Sequence, residues 1–152
     1  LQYTSGPLYI GIGYSNFATR TATRNDNAKS TILGATYDFK WIKFGAHSVR
    51  TERPTVTQRS EQYSVKFKPT DGTLELDAGL GHLTESTRSA PSTKAVSLGA
   101  TYHVSKRTDF YTFATKVSNN ATGTRGMFFY GNGTIAAGGT SRAVGLGIRH
   151  AF

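Results

Sequence analysis

The chain has 152 residues, no cysteine, and a formal net charge of +9 with a pI near 10.0. The lack of cysteine excludes a disulfide framework, a thiol nucleophile and a cysteine-ligated metal site. The basic residues are scattered singly, without a basic helix or a run of like charges, and this pattern does not favour a nucleic-acid partner. The apolar runs are too short for a membrane-spanning helix, whereas the abundant Gly, Thr, Ser, Tyr and Phe are typical of β-strands.

Alternation of apolar and polar residues predicts that the chain is built from β-strands. Residues 1–4 have the pattern of the end of a strand, and a tight turn at Ser5–Pro7 follows them. Eight strands are then predicted, each near the length that crosses a bilayer at a tilt. They cover residues 8–15, 31–39, 42–50, 62–68, 74–81, 96–104, 109–118 and 141–152.

The predicted connections alternate in length. Short turns are expected at Gly6, Lys40, Asp71 and Lys106, and long polar loops over 16–30, 51–60, 84–93 and 119–140. Outer-membrane barrels have short turns on the periplasmic side and long loops on the other side. A soluble up-and-down barrel has no reason to sort its loops so strictly, so the alternation favours a membrane barrel.

The last predicted strand divides into two unlike faces. One face is bulky and mostly apolar and consists of Val144, Leu146, Ile148, His150 and Phe152. The other face is small or cationic and consists of Ala143, Gly145, Gly147, Arg149 and Ala151. A membrane barrel turns bulky apolar side chains toward lipid and small or polar ones toward a wet lumen, as this strand would.

This ending resembles the closing strand of the outer-membrane porins of Gram-negative bacteria. In that family the terminal Phe and the apolar residues alternating before it form the signal for barrel assembly. The resemblance gives that role to Val144, Leu146, Ile148, His150 and Phe152, although many relatives carry Tyr or Phe where His150 stands. The segments Tyr3–Leu8 and Tyr102–Tyr111 are similar to strand–turn–strand corners of β-proteobacterial porins.

The resemblance covers the whole chain but only half of a sixteen-stranded porin. It implies an all-β fold, a transmembrane antiparallel β-barrel, of which residues 1–152 form the C-terminal half with about strands nine to sixteen. The N-terminal half of the same porin is then a partner outside this chain. The family also implies a trimer in the outer membrane, contact with lipid and lipopolysaccharide, and a water-filled diffusion pore whose constriction loop belongs to the other half.

Strand parity predicts which charged residues line the pore. The basic ones are Lys40, Lys43, Lys66, Lys68, Lys116 and Arg149, and the acidic ones are Asp38, Glu75 and Asp77. On the strand 109–118 we expect Tyr111, Phe113 and Val117 outward and Lys116 inward, a register that Phe110 fits poorly. Because rings of basic side chains favour anions, the cationic excess predicts passage of small anionic and neutral solutes.

No constellation of catalytic or metal-binding residues emerges from the sequence. The four histidines, His47, His82, His103 and His150, lie on different strands at spacings that fit no metal motif. Gly11-Ile12-Gly13 precedes no helix, and the chain has no Gly-x-Ser-x-Gly motif. We therefore expect neither an enzyme nor a cofactor.

Two other interpretations of the sequence remain open. A self-contained eight-stranded outer-membrane barrel would have a structural or adhesive role, with its interior filled by side chains. A soluble β-barrel that binds a small ligand would turn the apolar face inward.

Overall fold

The computed structural model describes residues 1–21, 24–69, 72–127 and 135–152, with side chains described outside 19–26. Within these residues nine strands form one antiparallel sheet, in which each strand pairs with the next along the chain. The strands are β1 (Gln2–Ser5), β2 (Leu8–Thr21), β3 (Arg24–Asp38), β4 (Ile42–Arg53), β5 (Val56–Phe67), β6 (Leu74–Glu85), β7 (Ser92–Ser105), β8 (Thr108–Asn119) and β9 (Thr140–His150). The predicted turn residue Asp71 lies outside the described residues. No helix in the described part of the chain is long and apolar enough to cross a membrane.

Several strands are longer than the sequence predicts. The segment 16–30, expected to be a loop, is largely paired strand, with Asn16 opposite Lys29 and Phe17 opposite Ala28. The segment 51–60 likewise continues β4 and β5 around a turn at residues 54–55. Beyond the lipid both faces of a hairpin meet water, so its strands need no apolar alternation. The predicted long loops are therefore wrong for these two hairpins. The longest connection between strands covers residues 120–139.

The register assigns every strand residue to one of two faces, because directly paired residues of an antiparallel ladder lie on the same side of the sheet. One row of paired residues crosses the sheet and consists of Tyr37, Phe44, Val65, Ala78, Leu98, Ala114 and Val144. We call the face that carries this row the outer face and the opposite face the inner face.

The register of β8 corrects one prediction. Tyr111 and Phe113, expected to point outward, pair with Gly147 and Gly145 on the inner face, and Phe110 is on the outer face instead. The glycines make this possible, because a Cβ atom on Gly147 would come within 2.5 Å of the Tyr111 ring. The small face of β9 therefore accommodates the aromatic side chains of the neighbouring strand.

The sheet has no hydrophobic core of its own in its described part. Large apolar side chains of the outer face are open, with Leu80 and Leu98 each 57% and Leu146 86% exposed. The edge strands β1 and β9 make no contact with each other. An apolar face of this extent requires a nonaqueous environment, and the two edges leave room for further strands.

Aromatic side chains gather where β3 turns into β4. The rings of Tyr37 and Phe39 are 4.4 Å apart between centroids, and those of Phe39 and Phe44 are 6.0 Å apart. Trp41 meets Phe67 edge to face at 5.9 Å. Such a group is typical of the aromatic girdle at a membrane surface, and it marks the short-turn end of the sheet as one boundary of the lipid.

Candidate functional site

A row of four charged residues crosses the inner face near the short turns. Asp38 pairs with Lys43, Lys43 with Lys66, and Lys66 with Asp77. Two adjacent lysines are thus flanked by a carboxylate on each side. The Asp38 carboxylate also accepts a hydrogen bond of 2.8 Å from the backbone N–H of Lys40 in the turn.

Glu75 is the centre of the first charge cluster on this face. Its carboxylate accepts hydrogen bonds from the ammonium groups of Lys66 at 3.0 Å and Lys68 at 2.7 Å. The bond from Lys68, which lies just beyond the end of β5, raises the pKa of that side chain above its ordinary value. The Nε2 atom of His103 lies 3.5 Å from the same carboxylate.

Asp109 is the centre of a second cluster, joined to the first through His103. Its carboxylate lies 2.6 Å from Nδ1 of His103 and accepts hydrogen bonds from Nε of Arg149 at 2.9 Å and from Nη2 of the same residue. Asp109 is among the few buried residues in the described part of the chain. Because His103 lies within 3.5 Å of both carboxylates, a continuous group of polar and charged side chains extends from β5 to β9.

The middle rows of the inner face contain no Asp, Glu, Lys or Arg in the described chain. One row of paired residues there is small or hydroxylated throughout and consists of Thr36, Gly45, Ser64, Gly79, Ser97, Thr115 and Ala143. His47 and Gln62 follow in the next row. Such a wall offers hydrogen bonds to water and to polar solutes without binding them through ion pairs.

A third cluster lies at the opposite end of the inner face. Glu85 accepts a hydrogen bond of 2.9 Å from Gln58 and pairs with Arg125 of the long connection. The side-chain amide of Asn119 donates to the backbone carbonyls of Arg125 and Gly139 at 2.8 and 2.9 Å. These contacts hold both ends of the long connection against the wall.

Most of the residues predicted to line the pore lie on the inner face. Asp38, Lys43, Lys66, Glu75, Asp77 and Arg149 all lie there, and Lys68 reaches the same side through Glu75. Lys40 lies instead in the turn between β3 and β4, with a positive φ of 74°. The residues proposed for the assembly signal lie at the free edge of the sheet, where Val144 is 78% and Ile148 59% exposed.

Lys116 was assigned to the wrong face. It pairs with Val96 and Arg142 on the outer face, while Val117 lies inward opposite Ser141. The error came from the sequence of β8, which has aromatic residues on both faces and so gives no clear alternation.

This correction changes the charge balance of the wall near the short turns. Removing Lys116 and the turn residue Lys40 and adding Asp109 leaves the cations Lys43, Lys66, Lys68 and Arg149 facing the carboxylates Asp38, Glu75, Asp77 and Asp109. The expected cationic excess on the wall is therefore absent from this part of the described chain.

Sequence reasoning missed Asp109, His103, Arg125 and the inward aromatic rings. The adjacent glycines Gly145 and Gly147 were a usable signal for the aromatic rings, because a bulky neighbour on the next strand needs such space. The ion pairs Glu85–Arg125 and Asp109–Arg149 each join residues 40 positions apart, so they cannot be recognised without the strand register. The described residues contain no group of three or more His, Asp or Glu side chains placed to bind a metal ion.

Comparison with known proteins agrees with this geometry. The family model described as Gram-negative porin matches residues 1–122. An anion-selective porin from Comamonas acidovorans has the same fold, with a TM-score of 0.89 and 24% identity over 99% of this chain and 47% of that one.

Two structures of OmpT, an outer membrane protein of Vibrio cholerae, are also similar. The loop L8 deletion mutant gives a TM-score of 0.72 at 12% identity over 98% of this chain and 51% of that one. The in-vitro folded protein gives a TM-score of 0.64 at 15% identity over 98% of this chain and 53% of that one. No curated protein sequence matches the chain.

The chain spans about half the length of the solved porins that it matches. The family match covers most of its residues, and the paired strands, apolar outer face and aromatic girdle are those of a transmembrane barrel wall. The chain belongs to the family of Gram-negative porins, integral proteins of the outer membrane.

Proposed function

We propose that the protein is a passive diffusion channel for small hydrophilic solutes. The observation that carries this proposal is the contrast between the two faces of one sheet. The outer face is apolar and open, whereas the middle of the inner face is a row of small and hydroxylated residues. A wall of this kind keeps water on one side and lipid on the other.

We propose further that residues 1–152 supply the C-terminal half of the barrel. The free edges of β1 and β9 would pair with strands of an N-terminal half, and the complete barrel would form a homotrimer in contact with lipid and lipopolysaccharide. The length comparison with the solved porins supports this arrangement. We assign the barrel assembly signal to Phe152 and the apolar positions before it, and Phe152→Ala in the full protein should reduce folded trimer in outer-membrane extracts.

We propose a preference for anions, with its source at the two mouths of the pore. The wall near the short turns is balanced, yet the chain carries a net charge of +9. Lys40, Lys106 and Arg107 lie exposed at the short turns. Clustered cations at a pore entrance raise the local concentration of anions and their rate of entry. The anion-selective porin with the same fold is consistent with this assignment.

Planar-bilayer recording on the complete, detergent-purified porin tests the proposal. Stepwise currents in groups of three are expected, and the reversal potential in a potassium chloride gradient should show a preference for chloride. A reversal potential that shows a preference for potassium would refute the proposed selectivity but not the proposed channel function. No conductance at all would favour the second candidate, the self-contained structural or adhesive barrel, which the separated edges of β1 and β9 do not support. We expect neither enzymatic activity nor a cofactor.

A further inference from the structure

The inner face contains a recess of about 340 Å³ near its middle, where β4 to β8 lie side by side. Its volume is within the range of roughly 300–1,000 Å³ that is usual for small-molecule sites. The inner-face side chains that line it are polar, and they are Asp77, Ser64, Ser97, Thr115, Gln62 and His47. The recess therefore offers hydrogen-bonding groups of several kinds within the space of one small molecule.

Glycines in and beside the recess let polar side chains lean across the sheet. Gly79 pairs directly with Ser64 on one neighbouring strand and with Ser97 on the other. A Cβ atom on Gly79 would come within 2.7 Å of the Ser97 hydroxyl oxygen. A Cβ atom on Gly99 would come within 2.5 Å of the Asp77 carboxylate. The absence of Cβ atoms at these positions keeps the recess open between a carboxylate and two hydroxyl groups.

The exposed carboxylate of Asp77 makes no hydrogen bond or ion pair in the part of the chain that the structure describes. Lys66 lies directly opposite Asp77, but its ammonium group bonds to Glu75 at 3.0 Å instead. The other acidic side chains described on the inner face each have a hydrogen-bonding partner. Asp77 is therefore free to bind an incoming cationic group, and charge-assisted hydrogen bonds of this kind are stronger than neutral ones.

The groups around Asp77 restrict the rest of the ligand. Gln62, Ser64 and Ser97 present uncharged donors and acceptors, which suit the hydroxyl groups of a solute. None of the residues that line the recess is Lys or Arg, so an anionic group on the solute would find no counter-charge there. A matching ligand has one cationic group, several hydroxyl groups and no acidic group.

We propose that the recess binds a solute with one primary ammonium group and several hydroxyl groups, as in an amino sugar. The ammonium group bonds to Asp77, and the hydroxyl groups bond to Ser64, Ser97 and Gln62. The inference rests on the proposed channel function and deepens it by naming a solute class. Such a site would give a pore that prefers anions a path for one class of cationic solute.

The test is planar-bilayer recording on the complete, detergent-purified porin with glucosamine added to one side. The fall in current through single trimers gives the concentration of glucosamine at half-maximal block. Glucose and N-acetylglucosamine have similar hydroxyl groups but no ammonium group. Each should need a roughly ten-fold higher concentration, because a charge-assisted hydrogen bond is replaced by a neutral one. Ethanolamine, which has the ammonium group and a single hydroxyl group, should also block less well than glucosamine.

Variants assign the block to the recess. Asp77→Asn should raise the half-blocking concentration of glucosamine to that of glucose. The matched control Asp38→Asn removes a carboxylate from the same row, three strands away. That separation is roughly 14 Å at about 4.8 Å per strand, beyond the Debye length of about 10 Å in 0.1 M salt, so block by glucosamine should be unchanged. Ser64→Ala/Ser97→Ala should weaken block by glucosamine and by glucose.

Several results would overturn the proposal. They are equal half-blocking concentrations for glucosamine and glucose, block by ethanolamine as strong as that by glucosamine, and block of Asp77→Asn as strong as that of the parent. The current before any solute is added reports separately on the proposed channel function. If the purified porin conducts no current, saturation-transfer NMR in detergent compares glucosamine binding to the parent and to Asp77→Asn, so the site is tested without the channel.

Discussion

The two sides of strands β7 to β9 neutralise charge in opposite ways. On the inner face His103, Asp109 and Arg149 are joined by hydrogen bonds, so that Asp109 has two basic partners. On the outer face the cations Lys94, Lys116 and Arg142 have no acidic partner in the described chain. The strand register therefore places acids beside bases on one side of this part of the sheet and cations beside cations on the other.

The largest loss of trimer stability is expected when a large side chain replaces a glycine of the inner face. Gly145→Leu would place side-chain atoms where the Phe113 ring lies, and overpacking of this kind costs about 1–3 kcal/mol. Val144→Leu, one residue away on the outer face, should be nearly neutral because lipid accommodates the added methylene. Thermal dissociation of the trimer, followed by electrophoretic mobility, measures the difference. Equal effects of the two substitutions would contradict the assignment of the faces.

A smaller loss of stability is expected when the second inner cluster loses its acid. Asp109→Asn removes the charge that Arg149 and His103 share, and the trimer should dissociate at a lower temperature. Asp77→Asn is the matched control, because no hydrogen bond or ion pair of Asp77 is found among the described residues. If the two variants dissociate at the same temperature, the network does not stabilise the wall.

Removing a carboxylate from the inner face should alter ion selectivity, whereas removing one from the outer face should not. Glu75→Gln releases Lys66 and Lys68, both about half exposed, so the pore should become more selective for anions. Its effect on stability should be below about 1 kcal/mol, as for other exposed ion pairs. Glu52→Gln on the outer face should leave the reversal potential unchanged. A shift with Glu52→Gln of the same size would mean that the two faces are exchanged.

The smallest expected effect concerns the facing cations Lys116 and Arg142. In detergent, Lys116→Gln relieves a like-charge contact and should stabilise the trimer by about 0.2–1 kcal/mol, measured as a higher temperature of dissociation. An unchanged or lower temperature would show that the two cations do not destabilise the folded trimer.

The sequence was sufficient for the all-β fold and for the faces of most strands, because alternation is a local property. It failed at β8, where Phe110, Tyr111 and Phe113 put aromatic residues on both faces. The glycines that resolve this ambiguity lie on β9, so they are informative only when β8 and β9 are considered as a pair. The charge network was not predictable for the same reason, since Asp109 and Arg149 meet only through that pairing.

The long β2–β3 hairpin has a consequence for the cell surface. These strands have 14 and 15 residues, which at roughly 3.4 Å per residue is about 50 Å of chain. Tilted at about 45°, they rise roughly 35 Å, some 10 Å more than the apolar band of about 25 Å. The stem that projects from the bilayer is hydrogen-bonded backbone, which proteases cleave poorly because they require an extended, unpaired substrate. Surface proteolysis of intact cells should therefore spare residues 16–21 and 24–30 and cut elsewhere.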